Sequence, residues 1–172
     1  MNCYRITKYN PTFRDKNGNY TANDWTSISD IGKTFIGGVL SQTKYKQTED
    51  SYVDAVKIIL KEKGISKMML CSLEKNDDMA EFVFSAKEKD LFNRIDDNFC
   101  VELNELETAV RLALREVIWC NLLSDTGDLK IEFGYDYYMY IRCNEMEEAA
   151  KQIILNSGLF VEEVIQEDTP LD

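Results

Sequence analysis

Polar and apolar residues alternate through CYRITKY (Cys3–Tyr9), the two-residue period of a strand with one buried face. The Asn-Pro and Asn-Gly steps of the following NPTFRDKNGNYTANDW mark turns, as at an irregular hairpin tip. From Ser41 to Lys63 the period becomes helical. Tyr45, Tyr52, Val56, Ile59 and Leu60 share one face, and Gly64 supplies the stop. A short buried strand, SKMMLCSLEK, comes next. Residues 76–103 carry no dominant period; AEFVFSA reads as strand and KEKDLFNRI as a helical turn.

The spacing then predicts a central helix. Asn104 is its cap with Glu107 at the capping-box position, and Leu106, Ala109, Val110, Ala113, Leu114, Val117 and Ile118 form the stripe. Leu112, Trp119 and Leu122 widen it, and SDTGD ends it. The remainder reads strand (Leu129–Phe133), tight turn at Gly134, strand (Tyr137–Cys143), helix (Glu145–Asn156), Gly158 stop, strand (Leu159–Ile165). The string α-β-β-α-β is the order of the latter part of ferredoxin-like folds. The expectation is a single two-layer α+β domain over residues 1–172, an antiparallel or mixed sheet packed against helices.

FGYDYYMYIRC (Phe133–Cys143) holds five aromatics, more than one buried strand face needs. Across the turn, Leu129, Ile131 and Phe133 share a face with Tyr137, Met139, Ile141 and Cys143, which should be core. The opposite face then carries Lys130, Glu132, Tyr138, Tyr140 and Arg142, with Asp136 at the turn. If that face is uncovered, Glu132, Asp136, Tyr138, Tyr140 and Arg142 are candidate partner-binding residues. If helices cover both faces, the tyrosines are core with their hydroxyls at a rim.

Charge sharpens this picture. The net charge is −11, but residues 1–70 carry 11 Lys/Arg against 7 Asp/Glu, while residues 71–172 carry 9 against 24. Nearly all of the acidic excess therefore lies in the second part, as for an interaction face, and nucleic acid and anionic membranes are poor partners. No apolar run is long enough to span a membrane, and MNCYRITKYNPTFR lacks a signal-peptide core; a cytoplasmic location is the expectation. The five cysteines are scattered and odd in number, and read as reduced core thiols. With no histidine in the chain, Ser-His and Cys-His nucleophiles are excluded, and any catalysis falls to carboxylates, Lys, Tyr or Cys.

The motifs supply no catalytic residue, metal or cofactor. GKT at Gly32–Thr34 lacks both the leading glycine and the preceding strand of a phosphate loop. DKNGNY has its glycine two positions early for a calcium loop, and Thr26 stands where the bidentate Glu is required. Asp77-Asp78 and Asp96-Asp97 read as solvated loop acids. Arg111, Arg115 and Glu116 form either a polar cleft beside Trp119 or a partly buried ion-pair set, with Glu107 and Arg111 paired at i,i+4.

The blocks YRITKYNP, WTSISDIG, FGYDYYMYI and GLFVEE, spread over nearly the whole chain, resemble a group of small, mostly uncharacterised bacterial proteins. In size, charge and lack of catalytic equipment the chain also resembles immunity proteins that neutralise secreted toxins. That resemblance implies a protein partner, a basic toxin domain whose active site is covered. The alternatives are a histidine-free enzyme using carboxylates, with or without a metal, on a small molecule, and an interaction module without catalysis. A deep pocket gathering acids with Arg115 would favour the enzyme; a broad, shallow acidic face would favour the binder.

Overall fold

The computed structural model describes residues 1–164. One antiparallel sheet organises it. Its strands are β1 (Asn2–Thr7), β4 (Lys67–Lys75), β5 (Cys100–Glu102), β6 (Ile118–Leu123), β7 (Leu129–Phe133), β8 (Met139–Cys143) and β9 (Phe160–Val164), in the order β5-β4-β6-β7-β8-β1-β9. A separate two-stranded hairpin is formed by β2 (Thr34–Phe35) and β3 (Gly38–Val39). Four helices, α1 (Gln42–Lys63), α2 (Ala86–Arg94), α3 (Leu103–Leu114) and α4 (Glu148–Asn156), form the second layer. The chain is a single α+β domain, as its periodicities predict.

The register shows why. Tyr4, Ile141, Ile131, Leu122 and Leu70 pair in one row across five strands, and all five are buried. The adjacent row, Arg5, Tyr140, Glu132, Asn121 and Cys71, points to the opposite face and is half-buried throughout. This is the apolar-in, polar-out alternation of an antiparallel sheet covered on one side only. Helix α1 meets the first face through Tyr45, Tyr52, Val53, Val56, Ile59 and Leu60; Ser41 Oγ caps it by accepting from Lys44 N–H, and Gly64 closes it at φ 65°.

Three expectations change. The central helix is shorter than its apolar stripe suggests: α3 ends at Leu114, Glu116 turns left-handed at φ 57°, and Ile118–Leu123 form β6. Ile118 and Leu122, four apart, fit the helical stripe and, with Cys120 between them, also the two-residue period of a strand; pairing with β4 decides. The helix starts after Glu102 without a side-chain cap, so Asn104 and Glu107 form no capping box. SDTGD is accordingly the β6–β7 turn, and the α-β-β-α-β string gains one strand. Within residues 76–103, AEFVFSA is not a strand. Asp77–Phe82 is a 3-10 turn, and Ser85 with Glu88 makes the capping box of α2. Helix α4 begins at Glu148, and the last strand is Phe160–Val164; the expected end at Ile165 lies outside the described residues.

The loop motifs are structural. Asp15 accepts from the backbone of Asn17 and Asn19, both at 2.9 Å. Asp30 closes a capping box on Ser27 and pairs with Lys33 at 2.8 Å, so the acid near Gly32–Thr34 holds its own turn.

Candidate functional site

The β7–β8 turn distributes the aromatics of FGYDYYMYIRC among different jobs. Tyr138 N–H donates to Tyr135 O at 3.1 Å, and the two central residues, Asp136 and Tyr137, both have positive φ, 58° and 63°. Such turns normally place Asn or Gly there, so two side-chain-bearing residues store strain of about 1–3 kcal/mol each. The gain is visible in Tyr137. Its ring lies in the core against Trp25, Tyr45 and Tyr52, its hydroxyl bonds Tyr45 Oη, and its carbonyl accepts from Tyr52 Oη at 2.5 Å. Burial first, and the neighbouring Tyr45 and Glu49 after it, push the Tyr137 phenol well above its ordinary pKa, which keeps it a neutral donor and acceptor. Gly134 does not have positive φ, and a Cβ there would stand 3.4 Å from Tyr138 O, an ordinary van der Waals contact, so neither φ nor space demands glycine.

Tyr135, by contrast, is 69% exposed and meets Trp119, 39% exposed, edge to face at 6.3 Å. Both border a depression of about 330 Å³ with Ser72, Glu74, Glu116 and Phe133. On the other side of the turn, Tyr138 and Tyr140 border an open groove of about 470 Å³ with Arg5, Arg14, Tyr20 and Asp136. Tyr138 is largely committed there: Arg14 Nη1 donates to its hydroxyl at 3.2 Å, and Tyr9 stacks at 5.3 Å. Arg14 continues to Glu162, which also takes a two-pronged bond from Arg5 at 3.0 and 2.8 Å. Glu132 pairs with Lys130 at 2.7 Å and with Arg142.

The sheet face predicted to bind is therefore uncovered by helices, and Glu132, Tyr138, Tyr140 and Arg142 do lie on it, with Asp136 at its end. Its charge differs from the expectation. Arg5, Arg14, Lys130 and Arg142 outnumber Glu132 and Glu162, so this part is not acidic. The exposed acids Glu74, Asp77, Asp78, Glu81, Asp96 and Asp97 instead gather around β4 and α2, near the opposite edge of the sheet. The Trp119–Tyr135 depression lies between the two regions. Tyr135 was not among the candidate residues; its position at the tip of a predicted tight turn was the available signal.

The four residues of the predicted polar cleft separate. Arg115 bonds Glu49 in two prongs at 2.6 and 2.8 Å, Glu88 at 3.0 Å and Phe82 O at 3.1 Å, and its side chain is 6% exposed. Arg111 bonds Glu49, Asp50 and Glu107. This set joins α1, α2 and α3, and the i,i+4 pair Glu107–Arg111 belongs to it. Glu116 and Trp119 lie elsewhere, in the depression. The dividing point is the left-handed turn at Glu116, which reverses the chain out of α3 so that residues adjacent in sequence face different surroundings.

A third cavity, about 400 Å³, lies between the β2–β3 hairpin and α1 and includes Lys8, Trp25, Phe35, Leu40 and Thr48 in its lining. Lys8 Nζ sits 4.0 Å from the ring centres of both Tyr9 and Trp25 and 3.0 Å from Asp24 Oδ2, in an ion pair without hydrogen-bond alignment. Burial lowers its pKa to about 8 against the opposing pull of Asp24. Its side chain is only 6% exposed, so the amine is occupied by its own cage rather than presented to a ligand.

Cys3, Cys120 and Cys143 are buried, Cys71 is half-buried and Cys100 is exposed, a correction to the core reading at that last position. Burial pushes the Cys120 thiol up to about 12, which leaves it protonated and inert. Among the described residues no cluster of three or more acids and cysteines has the arrangement of a metal site, and no helix is long and apolar enough to cross a membrane. No known protein family matches the chain, and no curated protein or solved structure matches it either.

Proposed function

We propose that the chain is a cytoplasmic protein-binding protein of the immunity type, which docks a basic toxin domain and covers its active site. The observation that carries this reading is the uncovered sheet face with Tyr140, Tyr135 and Trp119 on or beside it, continuing into the acidic surface of β4 and α2. Exposed tyrosine and tryptophan provide contact area at low entropic cost, and the acidic end attracts a basic partner from a distance. The carboxylate enzyme has less support, since Arg115 is enclosed and fully bonded and the caged Lys8 amine is not presented.

Co-expression with the protein encoded by the adjacent gene tests the reading. Growth arrest by that protein, relieved by the wild-type chain but not by a folded Tyr135→Ala/Tyr140→Ala variant, is the expected result. A neighbour that does not arrest growth, or full relief by the variant, would overturn it.

A further inference from the structure

Trp119 and Tyr135 are two exposed aromatic rings that meet at the edge of a depression, so the space beside them is a candidate binding site. Trp119 and Tyr135 meet at 71°, leaving ring surface toward the 330 Å³ space that they share with Ser72, Glu74, Glu116 and Phe133. Its lining contains two carboxylates and no lysine or arginine. Neither Glu74 nor Glu116 forms an ion pair among the described residues, whereas Glu132 and Glu162 on the same sheet face are both paired. Glu116 is held half-buried by its left-handed backbone, and burial first, then nearby Asp136, raises its pKa. A carboxylate in that situation gains from a cation that replaces lost water. Aromatic faces favour the same ligand through the ring quadrupole.

We propose that the Trp119–Tyr135 depression is a cation-accepting pocket that takes an arginine side chain of the partner as an anchor. A guanidinium suits it better than an ammonium, because a planar group stacks on an aromatic ring while its edge donates to two carboxylates. The turn that carries Tyr135 is anchored in the core on one side. Tyr137, two residues after Tyr135, is fixed through Tyr45 to Glu49 and the buried arginines. Assigning the cation to a protein side chain rests on the docking function proposed above; the pocket's preference for a guanidinium does not.

The test uses the full chain, isotope-labelled, titrated with N-acetyl-L-arginine amide, and with N-acetyl-L-glutamine amide as the neutral control. The Trp119 indole and the Tyr135 amide should shift saturably with the arginine probe alone, while the buried Trp25 indole stays fixed. Glu116→Gln, Glu74→Gln and Trp119→Ala should each weaken the response about five- to tenfold, the last read at Tyr135. Equal shifts with the neutral probe, no saturable shift at tens of millimolar, or indifference to all three substitutions would overturn the pocket. The probe needs no partner, so the two proposals fail separately. A partner bound equally well by Glu116→Gln and Trp119→Ala would remove the anchor and keep the docking face, whereas arginine binding with no protein partner would do the reverse.

Discussion

Tyr138 and Tyr140 stand two positions apart on one strand face, yet their removal should have different consequences. Tyr138 is clamped by Arg14 and stacked on Tyr9, so its loss frees the N-terminal hairpin. Tyr140 makes no side-chain hydrogen bond among the described residues and lines the groove. Tyr138→Ala is expected to cost about 1–3 kcal/mol and Tyr140→Ala under about 1 kcal/mol, against about 2–4 kcal/mol for the fully buried Ile141→Ala. Urea unfolding of the three variants checks the order; a Tyr140→Ala cost equal to that of Ile141→Ala would make Tyr140 a core residue. Lys8 gives a pH signature at the same scale. Its folded pKa, about 8, lies below its ordinary 10.5, so the charged amine costs stability below pH 8 and the cost fades as pH rises toward 10.5. Lys8→Met should therefore stabilise the protein at pH 7 by about 1–2 kcal/mol, with the gain vanishing near pH 10.5. A gain or loss independent of pH would contradict the buried-cation account.

At the scale of elements, the helical layer depends on Glu49, which is 2% exposed and bonded by Arg111, Arg115 and Tyr45. Glu49→Ala removes the carboxylate shared by two guanidiniums, leaving Arg115 with Glu88 and Arg111 with Asp50 and Glu107, and should cost about 3–5 kcal/mol. A loss below about 1 kcal/mol, measured by denaturant midpoint, would show that the cluster does not join the helices. The same cluster predicts acid sensitivity. Lys57 and Arg111 hold the Glu107 carboxyl down at about 2, and Glu88 and Asp50 are also lowered despite burial. Their contribution is complete above the ordinary carboxylate range and is lost as pH falls from about 4.5 to about 2, so the urea midpoint should drop across that window. A flat midpoint there would count against the network.

Local patterns were legible where one period prevailed. Helix α1 with its Ser41 and Gly64 caps, the strands flanking the β7–β8 turn and the set of residues that share the polar face follow from residue spacing; whether helices cover that face does not. The α3–β6 boundary was not legible, because its apolar residues satisfy both periods and only pairing with β4 selects strand. Glu49 was hidden as well. A carboxylate within a helical apolar stripe signals burial, but its arginine partners come from α3 and its C-cap, more than sixty residues away in sequence.

For the whole molecule, a group of exposed acids from residues 71–172, Glu74, Asp77, Asp78, Glu81, Asp96 and Asp97, lies at the β4–α2 end of the sheet rather than on the tyrosine face itself. The two differ in how salt should affect binding. Long-range attraction by the acids is screened beyond about 8 Å at physiological ionic strength, so association should slow as salt rises. The aromatic contacts act after encounter and should govern dissociation. An association rate unchanged by salt would remove the electrostatic half of the account.

Hydroxyl-radical footprinting of the complex with the adjacent gene's product tests the docking claim most directly, because it reads the aromatic side chains themselves. The account predicts that oxidation of Trp119, Tyr135 and Tyr140 falls on complex formation while the exposed Ile153 and Leu155 of α4 react as in the free chain. Protection of Ile153 and Leu155, with Trp119, Tyr135 and Tyr140 oxidised as before, would place the partner on the helical layer and contradict it.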